Sequence, residues 1–360
     1  MVVLTKHLYA LDEVKINLLL SLLEKKDFNK VIFWSAEIFH SGFLRELLDY
    51  IWQIYYDFYA LFSNIKQYKI TCKIKNFQKN NNFQEIIKLM YILFQLQAYC
   101  EIFIIRNMLK PLKFAKINKF EKVFIIIESL IKEKKINPIY NYLKETLKIN
   151  ETLTIKQYNL MIQRIDKNNT CFKRNNMYSQ TLPQLLNHLF RTIHIEIKKP
   201  TKKRLKKIPT LHFKYYEKLI NTENIEITKI LHHKRHYELD DLTCVFSLCR
   251  DEMSMPLSHI FWYHWEYYCQ KTPYWSDKFK EFQVKWDHEK KSALFSQDSE
   301  LDTFHEKYDY DLDELPYEIS YKSIKTFNNK NILDFLYLYF DIINLPLKKN
   351  KIDIKKIIKY

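Results

Sequence analysis

"DFNKVIFWSAEIFHSGF", residues 27–43, holds the only glycine of a 360-residue chain, and its reading decides the fold. Ordinary usage would place roughly 25 glycines in a chain of this length. Asp27 suits an N-cap, because its carboxylate can accept a first-turn N–H that has no partner within the helix. Val31, Trp34 and Ile38 then recur at helical spacing. Gly42 follows the last turn. Helices often end there on a left-handed residue, which glycine adopts without a Cβ clash. Leu44, Leu47, Leu48, Ile51, Tyr55, Phe58 and Phe62 resume an apolar helical face at once. The segment reads as a helical hairpin with Gly42 as its C-cap, not as a phosphate loop.

The same periodicity extends outward. Leu11, Val14, Leu18 and Leu22 form a wide apolar stripe upstream. Ile86–Leu109 is apolar nearly all round, which predicts a central, buried helix. Within it, Gln95, Gln97, Glu101 and Arg106 favour burial in protein over a membrane span. Phe120–Ile131 reads as another helix. Asn137–Pro138, Thr154 with Gln157, and Thr181 with Gln184 carry helix-start signals, and 167–180 reads as a loop. Next comes IKKPTKKRLKKIPT, residues 197–210, an exposed basic linker.

Beyond the linker, Leu242–Cys249 is a short amphipathic helix. Ser254–Pro256 caps an aromatic helix, HIFWYHWEYYC at 259–269, which Thr272–Pro273 ends. FQVKWDHEKKSALF, residues 282–295, alternates around a polar centre and predicts a β-hairpin. An acidic stretch runs from Asp298 to Glu314, and Asn331–Leu345 is a last apolar helix. No fixed-period repeat is present. The expected fold is mostly α, an irregular helical bundle or solenoid-like array with one small β-hairpin in the C-terminal region. Four segments follow: an N-terminal helical array at 1–197, a basic linker at 198–209, a C-terminal helical region at 210–345, and a basic tail at 346–360.

Composition bounds the partners. A hydrophobic content of 47% excludes disorder of the whole chain. Lys, Asn, Ile, Tyr and Phe are enriched and Gly, Ala and Pro depleted, the pattern of an AT-rich genome. A net charge of +16 points to an anionic partner. Lysine is also the default surface residue of such a genome, so only local clustering carries weight. The six sparse cysteines read as reduced thiols of a cytosol or nucleus. MVVLTKHLYALDE lacks the apolar core of a secretion signal, so no signal peptide and no secretion are expected.

A single glycine excludes the P-loop, the GxGxxG turn and the GxSxG elbow, each of which needs several. Three constellations remain. His232 and His236 stand at i and i+4 and could share a zinc ion, but Lys234 and Arg235 beside them would repel it, and a polar helix end is the plainer reading. Glu238, Asp240, Asp241, Asp251 and Glu252 could hold Mg²⁺ or move protons, but acids before an apolar helix also cap it. Lys198, Lys199, Lys202, Lys203, Arg204, Lys206 and Lys207 could neutralise several phosphates. The tail lysines, Lys355 and Lys356 among them, would add a second patch. The same run could be an import signal or a solvated linker. Trp262, Trp265, Tyr268 and Trp275 could form an interaction surface, since Trp and Tyr combine an apolar body with a polar tip, but aromatics at helical spacing also build cores. No cofactor, and no metal beyond the weak His232–His236 pair, is implied.

HLYALDEVKINLLLSLLEKKDFNKVIFWSAEIFHSGF (7–43), YHWEYYCQKTPYWSDKFKEF (263–282) and DTFHEKYDYDLDELP (302–316) resemble a family of helical proteins of giant viruses, the nucleocytoplasmic large DNA class. The resemblance implies a viral origin, a helical fold, and a place in a cytoplasmic virus factory or a virion, and it brings no catalytic residues. The expected function is therefore a non-catalytic interaction or scaffold protein with a protein partner and no membrane. The alternative is a nucleic-acid-binding factor of viral transcription, replication or packaging, with a nuclear location open. An enzyme with a site near 232–252 comes third.

Overall fold

In the computed structural model the segment around Gly42 is the hairpin that the sequence predicts. The structure describes residues 2–60, 64–98, 205–221 and 257–308. Helix α2 (Phe28–His40) starts at Asp27, whose carboxylate accepts the Asn29 N–H at 2.9 Å. It ends in a Schellman turn. The Phe43 N–H donates to the Ile38 carbonyl at 3.1 Å and the Gly42 N–H to the Phe39 carbonyl at 2.9 Å, with Gly42 at φ +88°. Ile38 and Phe43, the apolar pair of this motif, are both buried.

Helix α3 (Leu44–Ile54) follows without a linker. The helical face predicted as far as Phe62 does not stay α. Tyr55–Tyr59 form a π-turn, and all five of its residues are buried. Consecutive bulky residues cannot share one face of an α-helix, and the wider turn re-aims them inward.

The described residues, 71% of them helical, place the fold in the mostly-α class. The chain divides into two compact units, with a boundary between Leu47 and Leu48 inside α3. One unit joins residues 1–47 to 208–244 and 248–335, and the other holds 48–207, 245–247 and 336–360.

In the first unit α1 (Leu11–Glu24) packs against α2. The chain before α1 is part of the core rather than a plain leader into it. Leu4, Thr5, Leu8, Tyr9 and Ala10 are buried. The Leu4 N–H donates to the Tyr268 carbonyl at 3.2 Å, and the Leu4 carbonyl accepts the Thr272 hydroxyl. Helix α6 (Thr210–Asn221) lies on α2. Its His212 ring nitrogen is 2.9 Å from the Asn29 side-chain oxygen, and its Tyr216 hydroxyl is 3.1 Å from His40 Nε2.

The aromatic helix predicted at 259–269 is two helices, α7 (Leu257–Tyr263) and α8 (Trp265–Cys269). The break is His264, at φ −141° and ψ 14°, whose Nδ1 is 2.9 Å from the Lys291 carbonyl oxygen. The kink turns Trp265, Tyr267 and Tyr268 into the core and leaves Tyr263 outside. Thr272 then precedes α9 (Pro273–Glu281), with proline at a position where its missing N–H is harmless. The predicted hairpin is present: β1 (Lys285–Asp287) pairs antiparallel with β2 (Ser292–Leu294), Trp286 opposite Ala293. Helix α10 (Asp298–Tyr308) closes the unit by placing Phe304 against Trp265, Trp275 and Phe279.

In the second unit α4 (Asn64–Asn80) packs on α5 (Phe83–Gln95). Ile70, Ile74 and Phe77 form its buried stripe, facing a helix that buries Ile86, Ile87, Met90 and Leu93. Lys73 and Lys88 both bind Glu85, at 2.9 and 2.6 Å. The continuous helix predicted to Leu109 stops instead at Gln95, and Leu96 is extended at ψ 147°. The Gln95 amide takes both backbone groups of Lys206: its Oε1 accepts the N–H at 2.6 Å and its Nε2 donates to the carbonyl at 3.1 Å. The helix ends where its last side chain is committed to another strand of chain.

Candidate functional site

The C-terminal turn of α2 gathers polar groups from the chain before α1, from α6 and from α9. The His7 N–H donates to Glu37 Oε1 at 2.9 Å, and His7 Nδ1 lies 2.5 Å from Glu37 Oε2. Burial pushes the Glu37 carboxyl up, but the His7 charge and hydrogen bonds outweigh it and hold the group below its ordinary value. The Ser41 hydroxyl accepts the Lys6 N–H at 2.7 Å and donates to the Glu37 carbonyl at 2.6 Å. Trp275 Nε1–H donates to the Lys6 carbonyl at 3.2 Å. The backbone of Lys6 and His7 is thereby fastened to α2 and α9.

His40, one turn along from Glu37, stacks on Tyr216 with ring centroids 6.0 Å apart. Burial pushes its pKa down to about 4, Lys6 and His7 add to the fall, and Glu37 opposes it. A histidine–carboxylate pair is the usual equipment of general acid–base catalysis. Here His7 engages both Glu37 oxygens, one through its backbone and one through its ring. That geometry clips a loop to a helix.

Beside this clip stands a group of lysines and tyrosines. Lys6 Nζ is 5.0 Å from the Tyr274 ring centroid. Lys278 Nζ is 4.7 Å from the Tyr274 ring and 3.8 Å from the Tyr308 ring. Lys307 Nζ is 5.3 Å from the Tyr308 ring and donates to Glu281 Oε2 at 2.7 Å, an oxygen that also accepts the Tyr308 hydroxyl at 3.0 Å. Partial burial lowers the Lys278 pKa, the charges of Lys6 and Lys307 lower it further, and Glu281 opposes them. Three ammonium groups thus meet around two rings, with one carboxylate among them.

Lys206 and Lys207 are exposed. Lys198, Lys199, Lys202, Lys203 and Arg204 lie outside the described residues, as do Lys355 and Lys356, the His232–His236 pair, and the acids from Glu238 to Glu252. The surface expected from Trp262, Trp265, Tyr268 and Trp275 is corrected. Trp265, Tyr268 and Trp275 are buried, because Trp265 and Trp275 pack edge to face at 5.2 Å and share Phe279 and Phe304 as neighbours. Trp262 is half-buried, with its edge toward the exposed Tyr263. Among the described residues no group of three or more His, Cys, Asp and Glu side chains could hold a metal ion. No described helix is long and apolar enough to cross a membrane. No protein-family model, curated protein or solved structure matches the chain.

Sequence reading missed His7, Glu37, Lys6 and Lys278. Their partners come from positions about 30 and 270 residues away in the chain.

Proposed function

We propose that the chain is a non-catalytic helical interaction protein of a large DNA virus, acting in the virion or the virus factory. The observation that carries this reading is the closed geometry at the end of α2. The residue types that ordinarily do chemistry there, His7, Glu37, His40 and Ser41, hold chain segments together. Among the described residues of the first unit four large apolar side chains face solvent: Leu211 is 65% exposed and Tyr263 62%, with Ile220 and Leu294 also exposed. Large apolar side chains turned to solvent are the raw material of protein interfaces. The viral assignment rests on the resemblance of 7–43, 263–282 and 302–316 and on the AT-rich composition.

The test is quantitative capture of partners from infected cells, comparing the wild-type chain with a variant carrying Leu211→Lys, Ile220→Lys, Tyr263→Lys and Leu294→Lys. A protein recovered in stoichiometric amount with the wild type and lost with the variant is the expected result. Equal recovery with both chains would sink the reading. The nucleic-acid alternative is supported by the basic run, whose Lys206 and Lys207 are exposed. It predicts binding that weakens steeply with salt and drops when the seven basic residues of 198–207 are neutralised.

A further inference from the structure

We propose that the solvent face of α4 is a docking surface for duplex nucleic acid, whose phosphates it meets with Lys69, Lys75 and Lys79. The surface shares its ligand class with the nucleic-acid alternative but lies outside the basic run at 198–207 and the tail, so the two sites stand or fall separately.

The charge pattern comes first. Residues 64–98 carry six lysines and a single acid, Glu85, and no acid stands anywhere from Phe58 to Gln84. AT-rich coding supplies lysine everywhere but does not by itself clear the acids from such a stretch. Glu85 is already engaged, since its two oxygens bind Lys73 and Lys88 at 2.9 and 2.6 Å. Lys69, Lys75 and Lys79 are exposed, and none has a hydrogen bond or an ion pair among the described residues.

The helix then sets where these charges point. Successive residues turn by about 100° and rise by about 1.5 Å. Lys79 therefore stands opposite the buried stripe of Ile70, Ile74 and Phe77, with Lys75 and Asn76 to either side and Lys69 further round. The three ammonium groups spread over about 15 Å of helix. Packing of that stripe on α5 and the double ion pair at Glu85 hold the helix in place. The turn after it is fixed as well: the Asn81 N–H donates to the Phe77 carbonyl at 2.7 Å, and Asn82 caps α5 by accepting the Gln84 N–H at 2.9 Å. The cations are thus mounted on a preformed element.

The chemistry of the face selects the partner. A helix lying on a membrane needs an apolar side for the bilayer, and the apolar side of α4 is buried. A duplex carries one negative charge per 1.7 Å, so about nine phosphates lie along 15 Å of it and the lysines find partners in any register. The exposed amides of Asn76, Asn80 and Asn81 stand among the lysines, and such side chains bond phosphate and sugar oxygens. The exposed side chains from Lys69 to Asn82 include no aromatic ring on which an unpaired base could stack, which favours a duplex over a single strand.

The test uses the full chain and a fluorescein-labelled duplex DNA, titrated by anisotropy across a potassium chloride series. The wild type is compared with Lys69→Gln/Lys75→Gln/Lys79→Gln, with the corresponding Lys→Arg triple, and with a chain neutralised at the seven basic residues of 198–207. The glutamine triple is expected to weaken binding roughly 100-fold near 0.1 M salt and to reduce the salt slope by about two to three, while the arginine triple binds as the wild type does. A second measurement needs no variant. The duplex should protect Lys69, Lys75 and Lys79 of the wild type from acetic anhydride, read residue by residue by mass spectrometry. A glutamine triple that matches the wild type, with the three lysines unprotected, overturns the proposal; loss of binding confined to the 198–207 variant would then leave the nucleic-acid alternative standing without α4. Absence of duplex binding by the wild type at low salt overturns both. Binding of the wild type to phosphatidylserine vesicles in place of the duplex, lost in the glutamine triple, overturns the choice of partner.

Discussion

Gly42 stands directly against Pro273. A Cβ built on Gly42 would lie 2.5 Å from the proline Cβ and 3.1 Å from its Cγ. Two independent constraints therefore meet at the only glycine of the chain. The backbone needs a left-handed conformation, φ +88°, and the start of α9 needs the space that a side chain would fill. Gly42→Ala is expected to lose about 2–4 kcal/mol of stability, from the strained backbone and the overpacked contact together. Urea unfolding would measure it. In a double-mutant cycle with Pro273→Gly, part of the loss should return, because the second change removes the atom that the new methyl meets.

Elsewhere the chain makes left-handed turns without glycine. Lys25 caps α1 at φ 55°, its N–H donating to the Ser21 carbonyl at 3.3 Å. Asn81 does the same after α4 at φ 48°, and asparagine tolerates that region better than lysine does. Lys25→Gly removes the Cβ strain at the price of a more flexible unfolded chain. The balance is expected to favour the folded state by about 0.5–1 kcal/mol. A rise in thermal midpoint checks it, and a fall would show that the Lys25 side chain contributes more than its backbone strain costs.

The clip between His7 and Glu37 gives a larger effect. Glu37 is buried and its two oxygens meet one backbone N–H and one ring nitrogen of the same residue. Glu37→Gln keeps the volume but loses the charge, and its amide nitrogen is a donor, so one of the two His7 nitrogens loses its acceptor. The expected loss is about 2–4 kcal/mol. Lys6 sits next to His7 in this loop, so the variant should also disturb the lysine–tyrosine group. Hydrogen exchange at residues 4–10 would report the loosening directly: faster exchange there and little change in α4 and α5 is the expected pattern.

The helical hairpin around Gly42, the Asp27 cap and the β-hairpin were legible because each is local. A cap, a left-handed stop and a period-two alternation are written within a dozen residues. The break at His264, the π-turn at Tyr55–Tyr59 and the end of α5 at Gln95 were not. In each, tertiary partners override an unbroken apolar pattern: the Lys291 carbonyl holds His264, the Lys206 backbone holds Gln95, and burial of five consecutive residues reshapes 55–59. The candidate site was illegible for the same reason. Lys6 and Lys278 belong to segments that only the fold brings to Tyr274. Trp265 and Trp275 could be read as surface or core from spacing alone, and only burial decides between them.

Titration of His40 gives the last prediction. Its pKa falls from 6.5 in an unfolded chain to about 4 in the fold, chiefly through burial, with Lys6 and His7 adding and Glu37 opposing. The unfolded state therefore binds the proton more readily. The stability that neutral His40 contributes is present above pH 6.5 and is lost as pH falls from 6.5 toward about 4. One such proton gives a slope of at most about 1.4 kcal/mol per pH unit, and solvent near the partly exposed ring makes it smaller. His212 adds a slope of the same sign, since burial lowers its pKa while Asp27 opposes. Glu37 acts in a separate window. Its pKa lies below 4.5 in the fold, so its contribution persists above that value and is lost below it. Urea unfolding at a series of pH values from 7 to 4 should show wild-type stability falling through the interval. His40→Gln should reduce the slope between 6.5 and 4.5, leaving the His212 share of that slope and the Glu37 fall below 4.5 in place. A wild-type slope unchanged in His40→Gln would assign the titration to another group.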